Sequence, residues 1–167
     1  MALHQRGAAA AAISIVLFVA LPAARAAGGA SETPEVSQEL TQAHELMDRK
    51  DWTGALVELK RALRKDRKNA DVHNLMGYSY RKSGQLDDAF DSYRMALRID
   101  PRHKGAHEYI GEAYLQANQP AKAREHLAAL KQICGESCEE YQDLAKAVAA
   151  WHPPAAAAPA RTAAATK

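Results

Sequence analysis

A repeat of 34 residues is the feature that most constrains the fold of this chain. Alanine recurs at this step at Ala55, Ala89 and Ala123. Four further columns keep the same register without gaps: Ala43, Gly77 and Gly111; Leu46, Tyr80 and Tyr114; Leu59, Tyr93 and Leu127; and Ala62, Ala96 and Leu130. One column would carry little weight in an alanine-rich chain. Five columns in one register predict similar structural units that stack in series.

Each unit has the pattern of two amphipathic helices joined by a short turn. Abundant alanine and an aromatic content of only 6% favour helix over sheet. Small residues such as Gly77 and Ala89 allow two helix axes to approach closely. Gly84 and Asn118 suit a left-handed helix end, and Pro101 disfavours helical geometry in the residue before it. We therefore expect a helix–turn–helix in every repeat.

The middle unit resembles the tetratricopeptide repeat. It carries His73-x-x-Met76-Gly77-x-x-Tyr80, then Ala89-x-x-x-Tyr93 and Pro101. The third unit follows the pattern but has Gly135 in place of the closing proline, and the first unit departs from it at Gln42 and Arg67. The resemblance implies an all-α fold, a right-handed α-solenoid of three repeats at residues 36–69, 70–103 and 104–137.

A further amphipathic segment follows the third unit. Its apolar residues share one helical face: Tyr141, Leu144, Ala145, Val148 and Trp151. Its polar residues lie opposite that face: Glu139, Glu140, Asp143 and Lys146. Because a terminal repeat exposes an apolar face, we interpret residues 138–151 as a capping helix. The Pro/Ala-rich residues 152–167 are predicted to be a disordered tail.

The N-terminus has the order of a secretory signal peptide. Basic Arg6 precedes an uncharged apolar stretch, and small residues flank Arg25. We expect cleavage after Ala26, with a site after Ala24 as the weaker choice, and residues 27–35 as a flexible lead-in. An uncleaved membrane anchor is the alternative, since the uncharged run reaches the short limit of a spanning helix. With the signal removed, we expect no stable membrane insertion.

Charge and motif content exclude several functions. Removal of residues 1–26 takes away two arginines, leaving 20 basic and 20 acidic residues, so nucleic-acid binding is not expected. The chain lacks a nucleophile elbow, a phosphate loop and a His-Glu-x-x-His motif. We therefore expect no enzymatic activity, no cofactor and no bound metal. His73 and His107 occupy the aromatic slot of their repeats, so packing explains them.

Cys134 and Cys138 stand between the last repeat and the capping helix. An exported protein meets an oxidising compartment, where nearby thiols tend to pair, so we expect a disulfide that pins the capping helix to the third repeat. Unpaired thiols, or a metal or redox function that recruits His126 or His152, are the alternatives.

The first helices of the repeats are expected to line a concave surface. The candidate peptide-binding residues there are His44, Asn74, Tyr78, Arg81, Lys82, Glu108, Tyr109 and Glu112. Leu40 and Met47 are further candidates from the first unit. Family members that hold chaperone tails use a basic clamp of Lys and Asn, but this chain has Leu40 and His44 there, so that ligand is not implied.

These features predict a periplasmic or secreted bacterial scaffold without catalytic activity. The expected partner is a peptide segment or subunit of another envelope protein, of unknown identity. The alternatives are a membrane-tethered assembly factor that keeps its N-terminal anchor, and a thiol or metal carrier that uses the cysteine pair.

Overall fold

The computed structural model describes residues 34–153. This part of the chain contains seven α-helices and no strand, in agreement with the predicted all-α fold. They are α1 (Pro34–Asp48), α2 (Trp52–Lys65), α3 (Ala70–Lys82), α4 (Leu86–Ile99), α5 (Lys104–Gln116), α6 (Pro120–Cys134) and α7 (Glu139–Ala150). The predicted signal peptide and residues 154–167 of the predicted tail lie outside the described residues. None of the helices described is both long and apolar enough to cross a bilayer.

Helix α1 begins earlier than the sequence analysis expects. Pro34 opens the helix, although residues 27–35 were predicted to be a lead-in and the first repeat to start at residue 36. Proline is favoured in the first turn of a helix because the amide hydrogen that it lacks would have no partner within the helix there. Residues 34 and 35 therefore belong to α1 and not to the predicted lead-in, whose residues 27–33 lie outside the described residues.

The helices pack as three antiparallel pairs that stack in series. The pairs are α1 with α2, α3 with α4, and α5 with α6. Helix α2 contacts α3, α4 contacts α5, and α3 also contacts α5, while α7 packs on both α5 and α6. This arrangement is an α-solenoid closed at its end by α7, as the 34-residue repeat predicts.

The turn within each pair has the same backbone geometry. Lys50, Gly84 and Asn118 have positive φ angles of 60°, 83° and 57° and are spaced by the repeat length. After α3, the amide of Gln85 donates to the carbonyl of Tyr80 at 2.9 Å, which closes the helix end. The left-handed turns at Gly84 and Asn118 are as predicted, whereas Lys50 carries no sequence signal for this conformation.

Two glycines of the repeat allow close contacts between helices. Gly77 contacts a side chain of its own repeat, and Gly111 contacts a side chain of α7. A Cβ atom on Gly77 would lie 2.5 Å from the Tyr93 ring of α4, within the same repeat. A Cβ atom on Gly111 would lie 2.6 Å from the Leu144 side chain of α7. Tyr93 and Leu144 are both fully buried. The second contact seats α7 directly on the last repeat.

Helix α7 occupies the position of the first helix of a fourth repeat. Met76 of α3 and Ile110 of α5 are buried, and the repeat step continues from them to the buried Leu144. The helix ends at Ala150, so Trp151 is the residue after the helix and not its last turn. The Trp151 indole donates a hydrogen bond to the Leu115 carbonyl at 3.2 Å, which ties this end of α7 to α5.

A disulfide joins the C-terminus of α6 to the start of α7. Cys134 and Cys138 are bonded with an S–S distance of 2.04 Å and a Cα–Cα distance of 5.9 Å. This is the pairing that the sequence analysis expects. Because a thiolate is the form of cysteine that binds metal, the bonded pair offers no such ligand.

A histidine pair lies between α5 and α6. The Nδ1 atoms of His107 and His126 are 2.9 Å apart, and His107 Nε2 lies 3.1 Å from the Pro101 carbonyl. A carbonyl can only accept, so His107 donates from Nε2 and, when neutral, accepts at Nδ1 from His126. The His126 ring stacks on Tyr114 at 5.6 Å. Burial, and next the neighbouring His107, lower the pKa of His126 to about 4.

Candidate functional site

The first helices of the repeats line a continuous groove made of two adjoining recesses. The aromatic recess, about 250 Å³, is lined by His44, Met47, Asp48, Leu75, Tyr78 and Tyr109. The acidic recess, about 300 Å³, is lined by Asn74, Leu75, Gly105, Glu108, Tyr109, Glu139, Glu140 and Asp143. Leu75 and Tyr109 belong to both recesses. The groove therefore runs from α1 across α3 and α5 to α7.

Three aromatic rings form a packed row at the aromatic recess. The Tyr78 and Tyr109 ring centroids are 5.1 Å apart, and the Trp52 ring meets Tyr78 edge-on at 6.0 Å. Tyr78 and Tyr109 remain half-buried, so part of each ring faces the groove. Tyrosine rings held in this way offer a large contact area with little further loss of side-chain freedom on binding.

The buried Arg81 side chain packs against the Tyr78 and Tyr109 rings. Its side chain is only 8% exposed and pairs with Glu112 at 2.6 Å. Its guanidinium lies 5.4 Å from the Tyr78 centroid and 5.9 Å from the Tyr109 centroid. Arg81 and Glu112 thus neutralise each other and position the tyrosines. Lys82 is exposed, with its ammonium 5.2 Å from the Tyr78 centroid, so it adds a cation at the rim.

Burial distinguishes three candidates that the sequence analysis placed on the concave surface. Asn74 is only 6% exposed, and its Oδ1 atom is buried without a hydrogen-bond partner in the part of the chain that the structure describes. Leu40 is 5% exposed and belongs to the core between α1 and α2, so its placement on the concave surface was wrong. His44 is exposed at the aromatic recess, with Nδ1 2.8 Å from the Leu40 carbonyl.

Glu108 lies half-buried in the acidic recess among other carboxylates. Burial is the main cause that raises the pKa of Glu108 to about 7, and the charges of Glu112, Asp143 and Glu140 raise it further. The Arg81 guanidinium opposes this shift in the pKa of Glu108. Burial, followed by the Glu108 charge, raises the pKa of Tyr109 to about 12. Burial and the neighbouring carboxylates therefore make Glu108 easier to protonate than an exposed glutamate.

The structure thus brings the eight predicted residues to one side of the solenoid in three sets. His44, Tyr78 and Tyr109 lie at the aromatic recess, and Asn74 and Glu108 join Tyr109 at the acidic recess. Arg81, Lys82 and Glu112 line an adjoining recess that extends to Trp151.

Sequence reasoning did not assign Trp52 or the acidic residues of α7 to this site. It placed Glu139, Glu140 and Asp143 on a polar face opposite the packed one, but they line the acidic recess. Continuing the repeat step into α7 would have found them, because the first helix of each repeat contributes to the groove.

Comparison with known families identifies the repeats. Two family models described as tetratricopeptide repeat match residues 40–104 and 80–148, which together run from the middle of α1 through most of α7. The comparison with curated proteins found no match.

Solved structures with the same fold are distant in sequence. One is the type III secretion chaperone SycD of Yersinia enterocolitica in complex with a peptide of the translocator YopD, at 17% identity and a TM-score of 0.62, covering 72% of this chain and 92% of that chain. The Sgt2 TPR domain of Aspergillus fumigatus is 21% identical with a TM-score of 0.63, covering 79% and 93%. The TPR2B domain of yeast Sti1, in its pHsp70 complex, is 16% identical with a TM-score of 0.63, covering 70% and 98%. The solved structures share the fold, and the two matching family models show that the chain belongs to the tetratricopeptide repeat family.

Proposed function

We propose that this protein is a non-enzymatic scaffold that holds a peptide segment of another protein in its groove. The observation that carries the proposal is the aromatic recess, in which the half-buried Tyr78 and Tyr109 rings lie 5.1 Å apart above the buried Arg81. Aromatic side chains in partly enclosed recesses are the usual anchors of protein recognition. The groove is long enough to involve four helices, which suits a peptide better than a small molecule.

The preformed state of the recess supports binding with little rearrangement. Arg81 is fixed by its 2.6 Å contact with Glu112, and the two tyrosines pack on its guanidinium. Side chains that are already ordered lose less freedom when a ligand arrives, so more of the contact energy contributes to affinity. Two of the similar structures, SycD with a YopD peptide and Sti1 TPR2B in its pHsp70 complex, lend the proposal support by analogy of fold.

No catalytic step is part of the proposal. The Arg81 and Glu112 charges are engaged with each other, and burial raises the pKa of Tyr109 to about 12, which keeps its hydroxyl protonated near neutral pH. These groups are suited to contact and orientation.

We propose further that the protein acts in the bacterial periplasm, or outside the cell, with an envelope protein as its partner. The signal-like residues 1–26 and the Cys134–Cys138 disulfide support this location, since disulfides persist in oxidising compartments. Mass spectrometry of the N-terminus of the native protein tests the export step. A chain that starts at Ala27 agrees with cleavage, whereas an intact Met1 favours a membrane-tethered form.

A peptide array and two groove variants test the binding function. The mature chain, residues 27–167, is applied to an array of random nonapeptides, and the affinity of the strongest binder is measured in solution. Tyr78→Ala removes an anchor ring and should weaken binding about tenfold or more. Asn74→Ala should weaken it less.

Val57→Ala is the matched control, because Val57 is 47% exposed on α2 and lines neither recess. Circular dichroism should show the same helicity in all variants. If the array captures no peptide, or if Tyr78→Ala binds as tightly as Val57→Ala, the groove is not the binding site.

A further inference from the structure

We propose that the acidic recess binds the side chain of a lysine or arginine in the peptide that the groove holds. The inference rests on the proposed function and defines the chemistry of the partner. The residues that carry it are Asn74, Glu108, Tyr109, Glu139, Glu140 and Asp143. They come from α3, α5 and α7, so the site needs the middle repeat, the last repeat and the terminal helix together.

The carboxylates of the recess outnumber the cations that neutralise them. Lys104 pairs with Glu140 at 2.8 Å, and Lys146 pairs with Asp143 at 2.8 Å. The side chains of Lys104 and Lys146 are 46% and 74% exposed. Ion pairs at such exposed positions contribute little free energy, so both carboxylates can exchange their lysine for another cation.

Two carboxylates of the recess remain unpaired. Glu108 and Glu139 form no ion pair within residues 38–153, although Glu139 is exposed and its charge acts on Lys146. Arg81 lies near Glu108 but pairs with Glu112. An incoming cation would therefore meet the ionised form of the half-buried Glu108 without a competing ion pair, in a setting where electrostatic attraction is stronger than at an open surface.

A buried amide at the wall of the recess points to the same ligand independently of the charges. Asn74 is 94% buried, since only 6% of it is exposed, and its Oδ1 atom has no hydrogen-bond partner among the described residues. A buried acceptor that lacks a donor is costly, and an ammonium or guanidinium group brings donors but no acceptor. A cationic side chain is thus a ligand that the amide oxygen and the carboxylates can share.

The aromatic wall accommodates the rest of the side chain. Tyr109 lies between the recesses and its ring is half-buried, so one surface can contact the aliphatic part of a lysine or arginine. The adjoining aromatic recess, with Tyr78, Leu75 and Met47, suits an apolar side chain. The expected peptide therefore carries an apolar residue close in sequence to a basic one.

Binding of the cation is expected to be linked to proton release. Near neutral pH Glu108 is partly protonated, since its pKa is about 7, and a bound cation favours the charged form. Affinity should therefore increase as the pH rises from 6 to 8. The charged and titratable groups that surround Glu108 are Arg81 on α3, Tyr109 and Glu112 on α5, and Glu140 and Asp143 on α7.

The nonapeptide array also tests this inference. Among the captured peptides, lysine and arginine should be enriched over aspartate and glutamate, and affinity should fall as salt increases. The strongest binder is then labelled with fluorescein, and its affinity is measured by fluorescence anisotropy with the mature chain and two variants. Glu108→Gln keeps the volume of the side chain and removes its charge, so it should weaken binding about tenfold and flatten the pH dependence.

Glu125→Gln is the matched control, because Glu125 is exposed on α6 and lines neither recess. It should leave both the affinity and the pH dependence unchanged. Captured peptides without enrichment in basic residues, or equal affinities for Glu108→Gln and Glu125→Gln, would overturn the inference and leave the peptide-binding function standing. An array that captures nothing would overturn both.

Discussion

Replacement of Gly77 by alanine should destabilise the middle repeat through a clash with a single ring. The new Cβ atom would lie 2.5 Å from both Cδ1 and Cε1 of Tyr93, whereas carbon atoms in contact are normally about 3.5–4.0 Å apart. Tyr93 is fully buried, so its ring cannot move aside and α3 must separate from α4. Overpacking of this kind costs about 3 kcal/mol, and the higher helix propensity of alanine offsets about 1 kcal/mol. The expected loss in the free energy of unfolding is about 2 kcal/mol.

The first repeat supplies the compensating substitution. At the two corresponding positions it has Ala43 and Leu59, both fully buried. Tyr93→Leu alone should cost about 2–4 kcal/mol because it removes buried volume. In the double variant Gly77→Ala/Tyr93→Leu the ring that causes the clash is absent, so its cost should be at least about 1 kcal/mol below the sum of the single variants. Urea unfolding followed by circular dichroism measures all four proteins, and additive costs would refute this account of the helix contact.

Three further perturbations test other parts of the fold. Reduction of the Cys134–Cys138 disulfide, or the double variant Cys134→Ser/Cys138→Ser, should lower the free energy of unfolding. The loss should be only about 1–2 kcal/mol, because the loop that the disulfide closes is short. A urea midpoint unaffected by reductant would contradict this. The pKa of His126 is about 4 in the folded state, against about 6.5 when unfolded. The neutral His126 side chain therefore contributes to the free energy of unfolding above pH 6.5, and this contribution is lost as the pH falls toward 4. After allowance for its partial exposure this loss is about 1–2 kcal/mol, and His126→Gln should reduce the pH dependence of the urea midpoint. An unchanged pH dependence in this variant would contradict the expectation. Asn69 caps α3 and is only 5% exposed. Asn69→Ala should lower the free energy of unfolding by about 1–2 kcal/mol, and with it the melting temperature. An unchanged melting temperature would show that the cap contributes nothing.

Sequence spacing predicts the architecture because the repeat constrains local geometry. The 34-residue step positions the small residues between helices, and Gly84 and Asn118 mark turns whose backbone few other residues adopt readily. Lys50 has the same conformation without a favourable side chain, so only the repeat register could have indicated it. Local signals thus predict the helix pairs, and their periodicity predicts the stacking.

Side-chain environments in the groove depend on contacts that spacing does not specify. Arg81 and Glu112 lie on different repeats, and the stagger between α3 and α5 decides that they meet at 2.6 Å. Asn74 shares a helix with the exposed Lys82 yet is buried, because the packing of α5 covers it near Gly105. The sequence therefore indicates which helices line the groove, but the charge and burial of its recesses emerge only from packing between repeats.

Mapping a bound peptide onto the chain by NMR is the most direct test of whether the groove binds it. The mature chain is labelled with nitrogen-15 and titrated with the strongest array peptide, and the amide shifts are followed for each residue. We expect the largest changes on α1, α3, α5 and α7, around Leu75, Tyr78 and Tyr109. Changes concentrated on α2, α4 and α6 would contradict this expectation.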